Sequence, residues 1–281
     1  MTVVEAFAPA KVNLALHVTG RRDDGYHLLD SLVMFADVGD RITVERATGT
    51  KLTITGPMSD GVPATEDNLV LRAARLMGID AKIHLEKVLP HAAGLGGGSS
   101  DAAATLRALA GLTGQPIPDN VVGLGADVPV CLGNLAARMR GIGEDVHTLH
   151  DMPALYAVLV NPNIPLSTAD VFGRLQTRDN PGLSTALPTG QDPTTLIEWL
   201  REQRNDLEAP AIAAEPRIKQ VLDAISVTSG CRMARMTGSG ATCFGLYLDG
   251  ENAGAAAGRL SEAYPSWWVK PVTLNNPPDL L

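Results

Sequence analysis

A glycine-rich segment is the stretch of this chain best suited to binding an anion. Residues 94–100 read GLGGGSS, and a run of helix-forming residues follows directly. Glycine permits positive φ and lets backbone amides approach a ligand closely. A helix N-terminus adds unpaired N–H donors and the positive end of a dipole. The segment therefore predicts a phosphate cradle, to which Ser99 and Ser100 can add hydroxyl donors.

The spacing excludes two common phosphate loops. No lysine follows the glycines, so the segment is not a G-x-x-x-x-G-K-[ST] loop, and Ser99 stands where G-x-G-x-x-G needs its third glycine. This mismatch disfavours a dinucleotide-dependent oxidoreductase. The alternative that needs no ligand is a glycine loop before a helix capped by Ser99 or Ser100, with Asp101 close to the positive end of the helix dipole.

Other residues whose side chains could take part in catalysis or binding are scattered along the chain. Strand periodicity puts Lys11 and Asn13 on one face, which is either solvated or reaches into a cleft as a cation and an amide. Asp127 lies in GADVP, where an aspartate alone commonly serves as a turn or cap residue. Tyr26 and His27 alone indicate a turn aromatic and a surface histidine. The residue types leave both interpretations open.

Hydrophobic periodicity predicts the elements that would position these residues in the first half. Alternating apolar residues predict strands at 3–18, 41–47, 51–56 and 81–90. Apolar stripes at helical spacing predict helices at 64–78 and 99–112. Gly49-Thr50 predicts a hairpin between the second and third strands. Thr65 is the expected N-cap of the first helix, which ends at Gly78.

The second half mixes helices and strands without regular β-α-β alternation, which favours an α+β fold. Helices are predicted at 192–211, 216–225 and 253–264, and strands within 231–248 and at 267–274. A loop is expected at 161–165 and a loose tail at 275–281. A shift in composition near Met152-Pro153 predicts two domains, 1–152 and 153–281.

Composition narrows the class of protein. The net charge of −8 opposes non-specific binding to nucleic acid or to an anionic membrane surface. Three separated cysteines without C-x-x-C spacing predict neither a disulfide framework nor a zinc site. The sequence shows no signal peptide and no apolar run of about 20 residues. These observations predict a cytoplasmic protein without a membrane partner.

Several segments resemble the motifs of the GHMP kinases, in that family's order. They are 8–33, 90–104, 124–145, 161–172, 205–208 and 236–247. The details are closest to the branch that acts on a cytidine diphosphate alcohol. The resemblance implies a two-domain fold, with a ribosomal S5 domain 2-like N-terminal domain, a ferredoxin-like C-terminal domain and an active site in the cleft between them. It also implies ATP and Mg²⁺ as cofactors, although the sequence identifies no protein ligand for the metal.

The resemblance assigns roles residue by residue. Asp127 is the expected general base, and Lys11 lies beside it to keep it ionised and to lower the pKa of the substrate hydroxyl. The expected ATP-binding loop is Pro90, His91, Ala92, Ala93, Gly94, Leu95, Gly96, Gly97, Gly98, Ser99 and Ser100. Expected substrate-binding residues are Asn13, Tyr26, His27, Thr168 and Phe172, with a cytosine held between the Tyr-His pair and Phe172. Thr237 to Ala241 would pack against the phosphate loop.

The implied reaction is ATP-dependent phosphorylation of the 2-hydroxyl of methylerythritol carried on cytidine diphosphate, in the non-mevalonate route to isoprenoid precursors. Another GHMP kinase, acting on homoserine or mevalonate, is disfavoured by the Gly-Tyr-His segment. A non-catalytic nucleotide-binding regulator is disfavoured by the presence of Lys11 and Asp127. The oligomeric state is left open between a monomer and a weak homodimer.

Overall fold

Two long antiparallel strands carry the N-terminal candidate residues. β1 (Val3–Arg21) pairs with β2 (His27–Arg46), and the register shifts just before Lys11 and just after Asn13. Such shifts bend a strand locally and re-aim its side chains. The structure is a computed structural model and describes residues 2–184, 187–188, 190 and 192–276.

β2 is the centre of the first sheet. The other strands of this sheet are β3 (Lys51–Thr55), β4 (Ala81–Glu86), β5 (Ala137–Gly141) and β6 (Asp145–Thr148). The helices of this half are α1 (Leu69–Met77), α2 (Gly97–Thr113) and α3 (Val128–Gly133). α2 packs against β1, β2, α1 and α3, so its N-terminus is held from several sides. A core of aliphatic and alanine side chains fills the space between these layers.

The predicted hairpin at Gly49-Thr50 is wrong. β3 pairs with β4 in parallel, from Lys51 opposite Lys82 onward, and does not return along β2. The reason is that 41–46 of β2 is already paired with β1 on one side and with β4 on the other. The chain therefore has to cross to the free edge of β4.

The helix starts also differ from the predictions. α1 is capped by Asn68, whose side chain accepts from the Val70 amide at 2.9 Å, in place of Thr65. It ends at Gly78 as predicted, with φ at 64°. α2 begins two residues earlier than predicted, with Gly96 in the left-handed conformation at its N-cap, and no side chain of the described residues caps it.

The strands of the second half form a sheet that adjoins β2 through β10. The remaining strands are β7 (Leu155–Asn161), β8 (Met233–Met236), β9 (Cys243–Tyr247) and β10 (Trp268–Leu274), in the order β2-β10-β7-β9-β8. The helices are α4 (Thr168–Gly173), α5 (Pro193–Arg201), α6 (Glu208–Ala214), α7 (Arg217–Ser226) and α8 (Gly250–Ala263). This mixture of strands and helices confirms the α+β class.

The single helix predicted at 192–211 is wrong, because two helices occupy that region. Between α5 and α6 the chain lies against β1, where the Leu16 amide donates to the Arg204 carbonyl at 2.9 Å. The amide of Asp206 donates back to the Leu16 carbonyl at 2.9 Å. These tertiary hydrogen bonds replace the helical ones.

The two halves share packing. β10 pairs with β2 at Leu274 opposite Ala36, and one apolar cluster takes side chains from both halves. The boundary at 152/153 stays a prediction. Most of the predicted tail, 277–281, lies outside the described residues. Among the helices of the described chain, none combines the length and apolarity required to cross a bilayer.

Candidate active site

An ion pair between Lys11 and Asp127 lies at the centre of the cleft. The Lys11 Nζ is 2.6 Å from the Asp127 Oδ2. The lysine side chain is buried, whereas that of Asp127 is 34% exposed. Asp127 directly precedes α3, so the start of a helix holds it beside β1. The structure thus brings together the two residues expected to be catalytic, leaving one carboxylate accessible.

The glycine-rich segment wraps around the same lysine. The Lys11 amide donates to the Leu95 carbonyl at 2.9 Å, and the lysine stem lies 3.2 Å from the position that a Cβ of Gly96 would take. Gly94 and Gly96 have φ of 75° and 63°, a region that L-residues rarely adopt. A side chain at Gly96 would therefore meet both backbone strain and the lysine.

The cradle has donors to offer. Within the described chain, the amides of Gly97, Gly98 and Ser99 have no hydrogen-bond acceptor. These are the first amides of α2, so they carry the positive end of its dipole. The geometry is that of an anion site, open toward Lys11 and Asp127.

Not every residue of the expected ATP loop reaches this opening. The cavity over the cradle is lined by Pro90, His91, Ala92, Ala93, Gly94, Gly96, Gly97, Gly98 and Ser99. Leu95 is buried beneath it. Ser100 turns into the core, where its hydroxyl donates to the Pro9 carbonyl at 2.8 Å and its amide donates to the Gly96 carbonyl. The structure therefore leaves Ser99 as the hydroxyl that faces the cleft.

A second glycine turn supports the cradle from behind. A Cβ on Gly94 would lie 2.5 Å from the Thr237 carbonyl oxygen, and one on Gly238 would lie 2.7 Å from the Gly94 carbonyl oxygen. The Thr237 hydroxyl accepts from the Asn13 amide at 2.8 Å. The turn between β8 and β9 thus packs directly on the phosphate loop, as expected for Thr237 to Ala241.

Two residues after α5 hold this second turn in place. The Asn205 side chain donates to the Met236 and Gly238 carbonyls at 2.8 and 2.9 Å. The Glu208 carboxylate accepts from the Met236 amide at 2.8 Å. The NDLE segment at 205–208 therefore acts on the site through the backbone of the turn.

Two cavities meet at Asp127. The first, of about 370 Å³, lies over the glycine loop, and the second, of about 740 Å³, extends toward Tyr26 and His27. The residues common to both are Leu29, Ser99, Asp127, Thr168 and Phe172. A phosphate donor in one cavity and an alcohol in the other would therefore face each other across Asp127.

Aromatic side chains line the second cavity, in a different arrangement from the expected one. The His27 and Phe172 rings stack on each other with centroids 4.8 Å apart, and Tyr26 is exposed. A base inserted between two rings needs a centroid separation of about 7 Å, twice a van der Waals contact. A cytosine can enter between His27 and Phe172 only if one of these rings moves.

His27 is held neutral in this cavity. Burial lowers the pKa of its imidazole, and the positive charges of Arg178 and Arg21 lower it further. Its Nε2 is buried without a hydrogen-bond partner in the described chain. A neutral ring with an unpaired nitrogen can hydrogen-bond the edge of a base.

Thr168 and Asn13 occupy the walls near Asp127. The Thr168 hydroxyl lies 2.8 Å from that of Ser239 in the second glycine turn. The Asn13 side-chain amide donates to the Ser31 hydroxyl at 2.8 Å, and its Oδ1 has no partner within the described residues. Asn13 therefore keeps one acceptor available beside Lys11.

Sequence reasoning missed a second charged cluster beneath the cradle. The Lys87 ammonium contacts the carboxylates of Asp40 and Asp101, the latter at 2.9 Å, and all three side chains are buried. Asp40 also accepts from the Val88 and Leu89 amides at 2.6 and 2.9 Å. The cluster thus ties β2, the end of β4 and α2 together under Gly97. In the sequence, the only indication of this cluster is that its lysine and its two aspartates interrupt apolar segments.

Asp101 has an environment opposite to the one expected from the helix dipole. Its burial raises its pKa to about 8, against the attraction of Lys87, and the nearby Asp40 charge adds to the rise. Burial therefore favours the protonated form of this carboxyl group.

Comparison with known proteins supports the assignment of these elements. The model of the GHMP kinases N terminal domain matches residues 68–138, and that of the GHMP kinases C terminal matches residues 184–266. A crystal structure of 4-(cytidine 5'-diphospho)-2C-methyl-D-erythritol kinase superposes with a TM-score of 0.77 at 35% identity, covering 97% of this chain and 100% of the other. Homoserine kinase from Cytophaga hutchinsonii, 17% identical with a TM-score of 0.69, shares the fold.

Closer relatives cover nearly the whole chain. The 4-diphosphocytidyl-2-C-methyl-D-erythritol kinase of Paracoccus denitrificans is 54% identical over 263 residues, which are 93% of each chain. That of Dinoroseobacter shibae is 52% identical over 272 residues, covering 96% of this chain and 95% of the relative. These matches span both halves of the chain, and they place it in the GHMP kinase family, among the 4-diphosphocytidyl-2-C-methyl-D-erythritol kinases.

Proposed function

We propose that this ATP-dependent kinase phosphorylates the 2-hydroxyl of 4-diphosphocytidyl-2-C-methyl-D-erythritol, a step of the non-mevalonate route to isoprenoid precursors. The observation that carries the proposal is the position of the Lys11–Asp127 pair. It lies where the cavity over the glycine loop meets the cavity lined by aromatic residues. A kinase for a nucleotide-linked alcohol needs a phosphate site and a base site on opposite sides of one proton acceptor.

Asp127 accepts the proton of the attacking hydroxyl in this proposal. Its carboxylate lines both cavities, and it pairs with the adjacent Lys11 ammonium at 2.6 Å. Lys11 also stabilises negative charge that develops on the hydroxyl oxygen. Phosphoryl transfer needs little more covalent assistance, because alignment and charge stabilisation supply most of the rate.

The cradle positions the triphosphate. The amides of Gly97, Gly98 and Ser99 donate to phosphate oxygens, and glycine at the first two positions keeps the backbone within reach. Pro90 to Gly96 form the remainder of the ATP loop. Because Ser100 faces the core, its contribution is to hold α2 against β1 through the Pro9 carbonyl.

The second cavity binds the cytidine end of the substrate. Neutral His27 hydrogen-bonds the base edge, and Tyr26 and Phe172 supply aromatic faces for stacking, which contributes about 1–3 kcal/mol per base. Asn13, through its unpaired Oδ1, accepts from a hydroxyl of the erythritol. Thr168 borders the path between the base and Asp127.

In this proposal, the residues that would hold Mg²⁺ lie on the phosphate side of the cleft. No group of three metal-binding side chains exists among the described residues, which fits an ion held mainly by phosphate oxygens and water. Ser99 is the hydroxyl that faces the phosphate side, and Asp127 is the nearest carboxylate lining that cavity. The ion supplies neutralisation of the phosphate charge when bound.

We further propose a cytoplasmic protein with a small-molecule substrate and no nucleic-acid partner. Three free cysteines in the described chain suit a reducing compartment, and the net charge of −8 opposes binding to polyanions. Two of the cysteines, Cys131 and Cys243, are buried, and burial raises the pKa of both thiols.

A substrate panel tests the proposed function. Purified protein is incubated with ATP, Mg²⁺ and one alcohol: 4-diphosphocytidyl-2-C-methyl-D-erythritol, homoserine or mevalonate. Turnover only with the cytidine compound, and a new phosphomonoester at its 2-position by ³¹P and ¹H NMR, is the expected result. Preferred turnover of homoserine or mevalonate contradicts the substrate assignment. ATP binding without turnover of any alcohol indicates a nucleotide-binding regulator.

A further inference from the structure

The second cavity carries two arginines whose charges the protein does not balance. Its two carboxylates are both engaged: Asp24 pairs with Arg22 at 2.7 Å, and Asp127 pairs with Lys11 at 2.6 Å. Arg21 and Arg178 also line this cavity, and within the described residues neither has a carboxylate partner. The cavity is therefore locally positive on a chain whose net charge is −8.

Arg178, which is half-buried, differs from the two buried arginines of the described chain, Arg138 and Arg235. Arg138 makes a two-pronged contact with Asp30, and Arg235 donates to three backbone carbonyls. Arg178 makes no hydrogen bond to any described residue, although its Nε is buried. A buried polar atom without a partner is costly, so the unpaired Nε of Arg178 is a donor for which a bound anion would supply the acceptor.

The two arginines lie beside the aromatic residues. Arg21 and Arg178 line the same cavity as His27, and their positive charges lower the pKa of its imidazole. Arg21 is fixed at the end of β1 by a hydrogen bond from its Nε to the Gly25 carbonyl at 3.2 Å. Arg178 approaches from the segment that follows α4, which carries Phe172.

We propose that Arg178, with Arg21, binds the diphosphate of the cytidine diphosphate alcohol. This inference rests on the proposed function. In that ligand the diphosphate joins the base to the alcohol, so it lies between the aromatic pair and Asp127 when both ends are bound. Guanidinium groups match phosphate oxygens in a planar, two-pronged geometry. The two carboxylates of this cavity are paired with other cations, so they do not occupy the guanidinium groups of Arg21 and Arg178.

Calorimetric titration of Arg178→Gln with two ligands tests the inference. CDP carries the diphosphate and cytidine lacks it. The affinity for CDP is expected to fall about tenfold or more, because charge-assisted hydrogen bonds are lost, whereas that for cytidine stays within about twofold. In steady-state assays the KM for the cytidine substrate rises by a similar factor, with kcat and the KM for ATP nearly unchanged.

Arg174→Gln is the matched control. Arg174 lies four residues earlier, is exposed and faces a different cavity. It is expected to leave all of these constants unchanged. Arg178→Lys keeps the charge without the planar fork and is expected to recover part of the CDP affinity.

Two outcomes overturn the inference. One is an unchanged CDP affinity in Arg178→Gln, and the other is an equal loss for CDP and cytidine, which indicates a disturbed base site. A wild-type protein that binds neither CDP nor the cytidine substrate contradicts the proposed function itself. Equal melting temperatures of the wild type and Arg178→Gln establish that the variant is folded.

Discussion

Two lysine–aspartate clusters flank the glycine-rich loop, and they are built for different tasks. Lys11 lies along Gly96 and pairs with Asp127, which is 34% exposed to the cleft. The Lys87 Nζ lies 3.5 Å from the position that a Cβ of Gly97 would take, and it pairs with two fully enclosed carboxylates. The same residue types thus lie next to one loop, with an accessible carboxylate in one cluster and two buried carboxyl groups in the other.

This difference in solvent exposure indicates which of the two ion-pair clusters can take part in catalysis. A carboxylate that substrate can reach is able to exchange a proton with it, so Asp127 can act in chemistry. An enclosed carboxylate exchanges protons only at the expense of the fold, so Asp40 and Asp101 act in support. Removing one member of the first cluster should lower rate, and removing one member of the second should lower stability.

The largest expected effect is on turnover. Asp127→Asn removes the proton acceptor while keeping the shape of the side chain, so kcat should fall about 10²- to 10⁴-fold. The melting temperature and the ATP affinity should change little, because the altered side chain borders solvent. Steady-state kinetics and calorimetry on Asp127→Asn and on the exposed control Asp119→Asn check this. Near-normal turnover in Asp127→Asn would remove Asp127 from the role of base.

The next effect is on stability. Lys87→Met leaves Asp40 enclosed without its cation, and breaking a buried ionic cluster in this way typically reduces the free energy of unfolding by about 3–5 kcal/mol. Lys82→Met changes an exposed lysine of β4, the strand that ends just before Lys87, and serves as the control. Urea unfolding measures both. An equal, small effect for the two variants would show that the buried cluster does not support the fold.

A smaller effect is expected from replacing glycines with positive φ, and two such glycines distinguish backbone strain from contact between the two glycine turns. Gly94 and Gly114 share a φ of 75°, but a Cβ at Gly94 meets the Thr237 carbonyl at 2.5 Å, whereas one at Gly114 has no neighbour within 4 Å. Gly114→Ala should therefore lower stability by about 1–2 kcal/mol through conformation alone and leave ATP affinity unchanged. Gly94→Ala should also weaken ATP binding, as measured by calorimetry. Equal ATP affinities in the two variants contradict the role of this contact.

The smallest effect concerns pH. The pKa of Asp101 is raised by burial to about 8, so the folded chain holds one more proton than the unfolded chain between about pH 4 and 8. This group therefore makes the wild type less stable as pH rises through that window. Asp101→Asn mimics the neutral acid and should differ from the wild type by less than about 1 kcal/mol at pH 6.

The comparison across pH is the decisive measurement for Asp101. Above pH 8 the advantage of Asp101→Asn over the wild type should be greatest, because the wild type must then lose its buried proton. Urea unfolding at pH 6, 7 and 9 follows the difference between the two proteins. A difference that stays constant over this range contradicts the raised pKa.

The elements around the cleft could be predicted from local patterns, because β1 alternates clearly and α2 follows its glycines directly. The predictions failed where tertiary pairing decided the outcome. The strand at 51–56 satisfies the hairpin pattern, yet both edges of β2 were already occupied. The helical pattern at 192–211 is continuous, yet Arg204 and Asp206 are drawn to Leu16.

The candidate site shows the same limit. The composition of the glycine-rich segment predicts phosphate binding, and the family resemblance identified Lys11 and Asp127 as catalytic candidates. Lys87 gave no such signal, because a lysine near the end of a strand is commonly solvated. Its enclosure depends on Asp40, which is distant in sequence, and no local pattern encodes that contact. The direction of Ser100 likewise depends on how α2 lies against β1.

The contact between Gly94 and Gly238 has a consequence for dividing the chain. Each of these two glycines leaves room for the backbone of the other turn. The Asn13 amide donates to Thr237, and the Asn205 side chain donates to the Gly238 carbonyl, so hydrogen bonds from both halves hold the second turn in place. A fragment that ends near residue 152 would keep all the amides of the cradle but lose the surface that braces them. Tight nucleotide binding would therefore require the two fragments to reassociate. The ATP affinity of a mixture of the fragments would report on that reassociation.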